Sequence, residues 1–253
     1  MEPHHFWLTD TQFERLKRLL PNKERGVKRV DDRRVISGII HVIRNGLMWR
    51  DAPASYGPAK TLYNRFIRWG RAGIFNGIFA ALAAAGDAHE VVMIDATHLK
   101  AHRTAASAQK GAVPRRIGRT KGGLNSKLHA VCNAKGKPLI LLLSEGQASD
   151  CKGADQIIPA LPPGTKTAIG DRGYDSDKIR NALRARKIKP CIPGRRGRKR
   201  PVRYDKTLYK QRNVIERMFA RLKDWRRVAM RYDRCAHTFF SAIVIAATVS
   251  FWL

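Results

Sequence analysis

Acidic residues are scarce in this sequence. Twenty Asp and Glu stand against 50 Lys and Arg, leaving a formal net charge of +30. Solubility does not require so much charge of one sign. Cysteine is scarcer still: Cys132, Cys151, Cys191 and Cys235 are far apart and form no C-x-x-C pair. That excludes a zinc ribbon, argues against a disulfide framework and points to a reducing compartment. Long apolar runs are missing too. Ile74 to Ala85 and Ala242 to Leu253 fall short of the roughly 18 residues that a spanning helix needs. The opening Met-Glu-Pro-His-His lacks the basic-then-apolar layout of a signal peptide. No P-loop is present, so nucleotide binding and hydrolysis are not expected, and no Ser-His-Asp arrangement is recognisable. What is present is a hydrophobic fraction of 43%, enough for a core, which excludes a wholly disordered basic tail. The expectation is a soluble, intracellular, cationic protein without membrane contact, whose polyanionic partner is nucleic acid.

The charge is uneven. Residues 1–90 carry 15 basic and 9 acidic residues, and residues 91–253 carry 35 and 11. Arg186 to Arg234 alone holds 19 basic residues against 4 acidic. Such a stretch repels itself unless phosphates neutralise it with release of counterions. Within it lies Arg195-Arg196-Gly197-Arg198-Lys199-Arg200, a candidate DNA-backbone contact.

The first 88 residues read as an all-α region. Thr9 is a plausible N-cap for Phe13, Leu16, Leu19 and Leu20, and Pro21 stops that helix. A second helix starts near Asp31, carries Val35, Ile39, Val42 and Ile43 on one stripe, and ends at Asn45-Gly46. Residues 49–53 read as a turn. A third helix begins near Gly57-Pro58, with Leu62, Phe66 and Trp69 facing a core and Lys60, Asn64, Arg65 and Arg68 facing elsewhere. A fourth spans about 74–85. Short helices with a basic face suit a helix-turn-helix reader of DNA, with Lys60, Arg65 and Arg68 as contacts; an ordinary helical bundle is the alternative.

From residue 89 the pattern changes. Val91 to Ile94 is a short strand ending at Asp95. Residues 103–123 read as a mobile basic loop. Residues 127–133 and 138–144 make a hairpin. A helix over about 150–161, a strand over 166–170 ending at Asp171, a helix over about 175–186 and a strand near 190–192 follow. A long helix over about 205–227 and a last apolar helix close the chain. Asp175 and Asp177 read as the start of a helix, where acids favour the N-terminus, and so do Asp150 and Asp155. This alternation predicts an α/β domain, a mixed sheet flanked by helices.

Asp95 and Asp171, each after an apolar strand, suit hard-metal binding at a sheet edge. Glu216 is the single acid between Asp205 and Asp224. On a helix of about 100° per residue, Tyr209, Arg212, Glu216 and Lys223 share one stripe, opposite Ile215, Met218, Leu222 and Trp225. A cation beside a metal-binding acid suits a site for metal and phosphate together; surface ion pairing is the alternative. Asp95, His98 and His102 at i, i+3 and i+7 form a weaker transition-metal set.

Tyr209-x2-Arg212-x3-Glu216-x6-Lys223 resembles the Y-R-E-K signature of DDE transposases. Ile94-Asp95-Ala96-Thr97 and Gly170-Asp171-Arg172-Gly173-Tyr174-Asp175 resemble the segments around the two Asp residues. Tyr209 to Arg234 and Arg119 to His129 are similar to the IS5 family of bacterial insertion-sequence transposases, and residues 6–75 to its N-terminal DNA-binding region. The resemblance implies an RNase H-like core over 89–253, with two Mg2+ ions (Mn2+ as substitute) on Asp95, Asp171 and Glu216. It also implies that Arg212 and Lys223 grip phosphates and that Tyr209 supports the site or the bound strand. The implied function is binding of terminal inverted repeats, then metal-dependent cleavage and strand transfer into target DNA, by a homo-oligomer in the bacterial cytoplasm, nucleoid-associated. A DNA-binding protein or inactive remnant without catalysis, and a simple Mg-dependent nuclease, are the rival readings.

Overall fold

The structure, a computed structural model, describes residues 5–22, 31–86, 89–107 and 114–253. It begins with helices α1 (Asp10–Lys17), α2 (Asp32–Asn45), α3 (Ala59–Arg71) and α4 (Ile74–Ala84). Strands β1 (Val91–Ala101), β2 (Gly118–Thr120), β3 (Gly123–Asn133) and β4 (Pro138–Glu145) follow. Next come α5 (Asp150–Ile157), β5 (Thr167–Gly170), α6 (Asp177–Ala185) and β6 (Lys189–Cys191). The remainder holds α7 (Lys206–Tyr209), α8 (Asn213–Lys223), α9 (Arg226–Ala229), β7 (Met230–Arg231) and α10 (Ala236–Phe251). Two compact units result, neither continuous in sequence. The described residues of 1–82, 102–114 and 222–253 form a helical unit, and those of 83–101 and 115–221 form a sheet unit. The sequence expectation of one boundary at 88/89 falls beside residues 87 and 88, outside the described residues.

In the helical unit, local chemistry sets the helix ends. Thr9 and Gln12 make a reciprocal capping box at α1, with Thr9 Oγ1 accepting from the Gln12 N–H at 3.2 Å and Gln12 Oε1 accepting from the Thr9 N–H at 3.0 Å. Asp31 caps α2 by accepting from the Arg34 N–H. Gly46 closes α2 at φ 67°, and a Cβ there would stand 2.8 Å from Arg226 Cβ, so glycine is required twice over. Val35 to Ile43 of α2 are buried, and α10, apolar all round, is buried along most of its length against α2 and α3. Each fully buried Ile or Leu here contributes about 1.5–3 kcal/mol.

Arg65 departs from the expected DNA-facing role. It is 5% exposed, its guanidinium lies 2.5 Å from Asp32 of α2, and it stacks 4.8 Å over the Trp69 ring. A buried charge persists only when paired, so Arg65 joins α3 to α2. Lys60, Asn64 and Arg68 remain exposed on α3.

The sheet unit runs β2-β3-β1-β5-β6, with β4 sharing the outer edge of β3 beside β2. β3 is antiparallel to β1, whereas β5 is parallel to β1 and β6 to β5. Apolar residues Ile94, Ala154, Ile158, Ile169, Ile179 and Leu183 converge between this sheet and α5 and α6. The hairpin turn at 134–137 and the strands around it stand as expected. Residues 103–123 are more ordered than expected where described: a 3-10 turn spans Arg103–Ala106 and β2 spans Gly118–Thr120; residues 108–113 lie outside the described residues.

Two elements differ from expectation. β1 does not stop at Asp95 but runs on to Ala101, because the antiparallel ladder with β3 continues to Lys100↔Asn125 while the parallel ladder with β5 ends at Ile94↔Gly170. The expected long helix over 205–227 is broken: Lys210–Arg212 tighten to a 3-10 turn, and α8 ends at Lys223 before α9 begins.

Candidate active site

The register of β1 and β5 builds the centre of the site. Ile94 pairs with Gly170, so the next residues, Asp95 and Asp171, leave the parallel ladder side by side. Asp95 Oδ1 accepts from the Ala96 N–H at 2.8 Å. Asp171 caps the 3-10 turn Arg172–Tyr174, and its Oδ1 accepts from the Gly173 N–H at 2.8 Å. Burial raises the Asp95 carboxyl to about 6, the Ala96 N–H opposes this, Asp171 adds to it, and Arg212 lowers it again.

Glu216 enters from α8. That helix buries Ile215, Met218, Phe219 and Leu222, which turns Glu216 outward in the first turn, where an acid suits the helix dipole. Arg212 links the acids. Its Nη1 lies 3.0 Å from Asp95 Oδ2, and its Nη2 binds Glu216 Oε1 one helical turn on. Burial works against the guanidinium charge, but Asp95, Glu216, Tyr209 and Asp171 outweigh it and raise its pKa. Tyr209 stands in the same field: burial, then Asp171 and Tyr204, raise its hydroxyl against the lowering effect of Arg212. Lys223 is the last residue of α8 and falls in the helical unit, its ammonium pKa lowered by burial.

The set fits a hard divalent cation. Its donors are carboxylate oxygens, and the guanidinium of Arg212 already provides positive charge to Asp95 and Glu216 together. Among the described residues, no three His, Cys, Asp or Glu side chains stand close enough together to hold a metal ion as they are, with Arg212 bridging Asp95 and Glu216. The Asp95–His98–His102 alternative fails: on an extended strand, residues three apart point to opposite faces. His98 Nε2 instead pairs with the Gly146 carbonyl at 2.9 Å, and His102 stacks on Tyr232.

The basic loop is anchored by an acid that the sequence assigned to a helix start. Asp175 is buried, and Ser176, not Asp175, caps α6. Its oxygens accept from Arg180 Nε at 2.8 Å, the Arg195 N–H at 2.8 Å and Arg198 Nη1 at 3.0 Å. Burial alone would raise this carboxyl, but those partners hold it below its ordinary value. Arg198 also pairs with Asp177 and is thereby committed to the loop. Arg195, Arg196, Lys199 and Arg200 are exposed. Sequence reasoning missed Lys127 and Asp150, an ion pair at 2.8 Å whose carboxylate acts on Asp95 and raises its pKa. No spacing rule links them; Lys127 is buried in β3, an unusual place for a lysine and the one hint.

The chain is similar to known transposases. Residues 8–79 match the profile of candidate transposases of the IS4/5 family (DUF4096), and residues 86–251 match the transposase DDE domain. A candidate transposase for insertion sequence element IS402 in Burkholderia cepacia is 36% identical over 140 residues, 48% of this chain and 64% of that protein. A candidate transposase for IS6501 in Brucella ovis is 34% identical over 131 residues, 51% of this chain and 99% of that protein. Among solved structures, the piggyBac transposase in a synaptic complex with hairpin DNA superposes with a TM-score of 0.52 at 9% identity, covering 93% of this chain and 69% of that one. At that identity the likeness concerns the fold alone, an RNase H-like arrangement of a mixed sheet with flanking helices. The domain profile covers most of the chain, and the chain belongs to the transposase DDE-domain family.

Proposed function

We propose that this chain is an IS5-like transposase that binds the terminal inverted repeats of an insertion sequence, cuts the DNA there and joins the 3′ ends to target DNA. The observation that carries the reading is the link from Arg212 to both Asp95 and Glu216, beside the register that aligns Asp95 with Asp171. Asp95, Asp171 and Glu216 would hold two Mg2+ ions, or Mn2+ in their place. Such ions, when bound, polarise a phosphoryl oxygen and favour deprotonation of the attacking hydroxyl or water. The protein's own part is positioning. Arg212 balances the acids and offers a forked donor to a phosphate. Tyr209 supports the bound strand. Exposed Arg195, Arg196, Lys199 and Arg200 hold backbone by counterion release, with Arg198 keeping their loop in shape.

The helical unit would find the terminal repeats, in a helix-turn-helix-type manner, through the stripe of Lys60, Asn64 and Arg68 on α3. Lys223 would grip backbone. The protein would act as a homo-oligomer on double-stranded DNA in the bacterial cytoplasm, near the nucleoid. The test is a cleavage assay on duplexes carrying the DNA that flanks the gene, with Mg2+ and with chelator, followed by capture of 3′ ends in a target plasmid. Metal-dependent nicks followed by joining support the reading. Binding without nicks makes the chain a DNA-binding protein, and nicks without joining make it a nuclease.

A further inference from the structure

Gly173 has no side chain where two carboxylates meet. A Cβ built there would stand 3.0 Å from Asp150 Oδ2 and 3.0 Å from Asp171 Oδ1. The two acids come from different elements: Asp150 opens α5, and Asp171 precedes the turn that holds Gly173. Cys151 Sγ, next along α5, contacts the Gly173 carbonyl at 3.7 Å, so the start of α5 lies directly on this turn. Asp150 is also fixed from behind. Its Oδ1 lies 2.8 Å from Lys127 Nζ, and Lys127, 8% exposed, donates to the Ala148 carbonyl at 3.0 Å. An acid at the first helical position and one ion pair account for Oδ1. They do not account for Oδ2, which converges with Asp171 Oδ1 on the space that a Gly173 side chain would fill. Two carboxylates converging on one space repel, and a divalent cation turns that repulsion into binding.

A second observation points the same way. Tyr174, the next residue, is 1% exposed, and its hydroxyl has no hydrogen-bond partner among the described residues. Burial, then the charges of Asp150, Asp95 and Asp171, push that hydroxyl well above the ordinary tyrosine range. A buried donor without a partner requires a reason. Its ring packs against Gly170, 3.4 Å from where a Cβ there would stand, so this hydroxyl belongs to a side chain seated beside the strand end that delivers Asp171.

We infer that Asp150 is a further carboxylate of this metal site, sharing a divalent cation with Asp171, with Lys127 fixing its other oxygen and Gly173 leaving room for the pair. The inference rests on the reading of Asp95, Asp171 and Glu216 as metal ligands and adds a ligand that the signature segments do not contain.

The test is Mn2+ binding to the full chain without DNA, by calorimetry and by the electron paramagnetic resonance of free Mn2+. Asp150→Asn should weaken Mn2+ about tenfold or more, with circular dichroism and melting temperature retained. Gly173→Ala leaves every charge in place and should also weaken it. If Asp150→Asn binds Mn2+ like the wild type while Asp171→Asn does not, the inference is overturned and the underlying reading stands. If both variants bind like the wild type, the metal-site reading fails and the inference with it. Should Asp150→Asn not fold, Gly173→Ala decides: wild-type Mn2+ affinity overturns the inference, and weakened affinity supports it.

Discussion

Arg212 Nη1 lies 3.0 Å from Asp95 Oδ2, although 117 residues separate the two in the chain. The same guanidinium binds Glu216, so one side chain bridges two acids and offsets half of their charge. Replacing it should therefore affect chemistry more than binding. Arg212→Ala is expected to cost about 2–4 kcal/mol of transition-state stabilisation, while DNA affinity falls by no more than one phosphate contact. Single-turnover cleavage at saturating protein, set against binding constants over a salt series, distinguishes the two. A wild-type rate once bound would remove Arg212 from the site.

Asp95→Asn, Asp171→Asn and Glu216→Gln should each abolish cleavage, as chelator does, and leave end binding intact. The amides keep shape and lose the charge a hard cation needs. Filter binding alongside cleavage is the check. Residual cutting by any one variant near the wild-type level excludes that residue.

Arg65 and Lys60 lie on one helix and should behave in opposite ways. Arg65→Met takes a buried, charged hydrogen-bond partner from the half-buried Asp32 carboxylate and should cost about 1.5–3 kcal/mol of stability. Lys60→Ala and Arg68→Ala remove exposed charges and should change stability by less than about 0.5 kcal/mol. Each should instead reduce the salt slope of DNA binding by about one. Urea unfolding and salt titration of the three variants read both effects.

His129 should make stability depend on pH. Its ring is fully buried, Nε2 pairs with Ser144 Oγ at 2.8 Å, and Nδ1 has no hydrogen-bond partner among the described residues. Burial, then the Lys127 charge, lower its pKa from 6.5 to about 4. The unfolded chain takes the proton first. This contribution is therefore complete above the ordinary histidine value and is lost as pH falls from 6.5 towards 4. The slope in that window should reach at most about 1.4 kcal/mol per pH unit. Urea midpoints at pH 7, 6, 5 and 4 check it, and His129→Gln should flatten the curve; an equal slope in that variant assigns the effect elsewhere.

Local signals are legible in the sequence because their partners are near: Thr9 caps the helix that follows it, the next helix starts beside Asp31, and Gly46 ends it. Expectation and structure part where a partner is distant. Asp95 was expected at a strand end because the apolar run stops there; β1 continues because β3 supplies the ladder for residues 96–100. Arg65 lies on what reads as a polar face, and nothing local reveals that Asp32, 33 residues away, buries it. The expected helix over 205–227 put Arg212 and Glu216 together correctly, since they are four residues apart, but missed the tightened turn at Lys210–Arg212. Asp150 looked like an ordinary helix start because only the fold brings Gly173 to it.

The burial of α10 against α2 and α3 has a consequence for synthesis. Ile36, Ile39 and Trp69 share a core with Ile245, Thr248 and Val249, so the helical unit cannot close until the last of these residues exists. At about 5–20 residues per second, a nascent chain carries those apolar faces uncovered for roughly ten to thirty seconds after α3 is made. A fragment ending near residue 90 never covers them. Such a fragment should aggregate or stay molten, and a ribosome stalled late in the message should yield no folded helical unit at all.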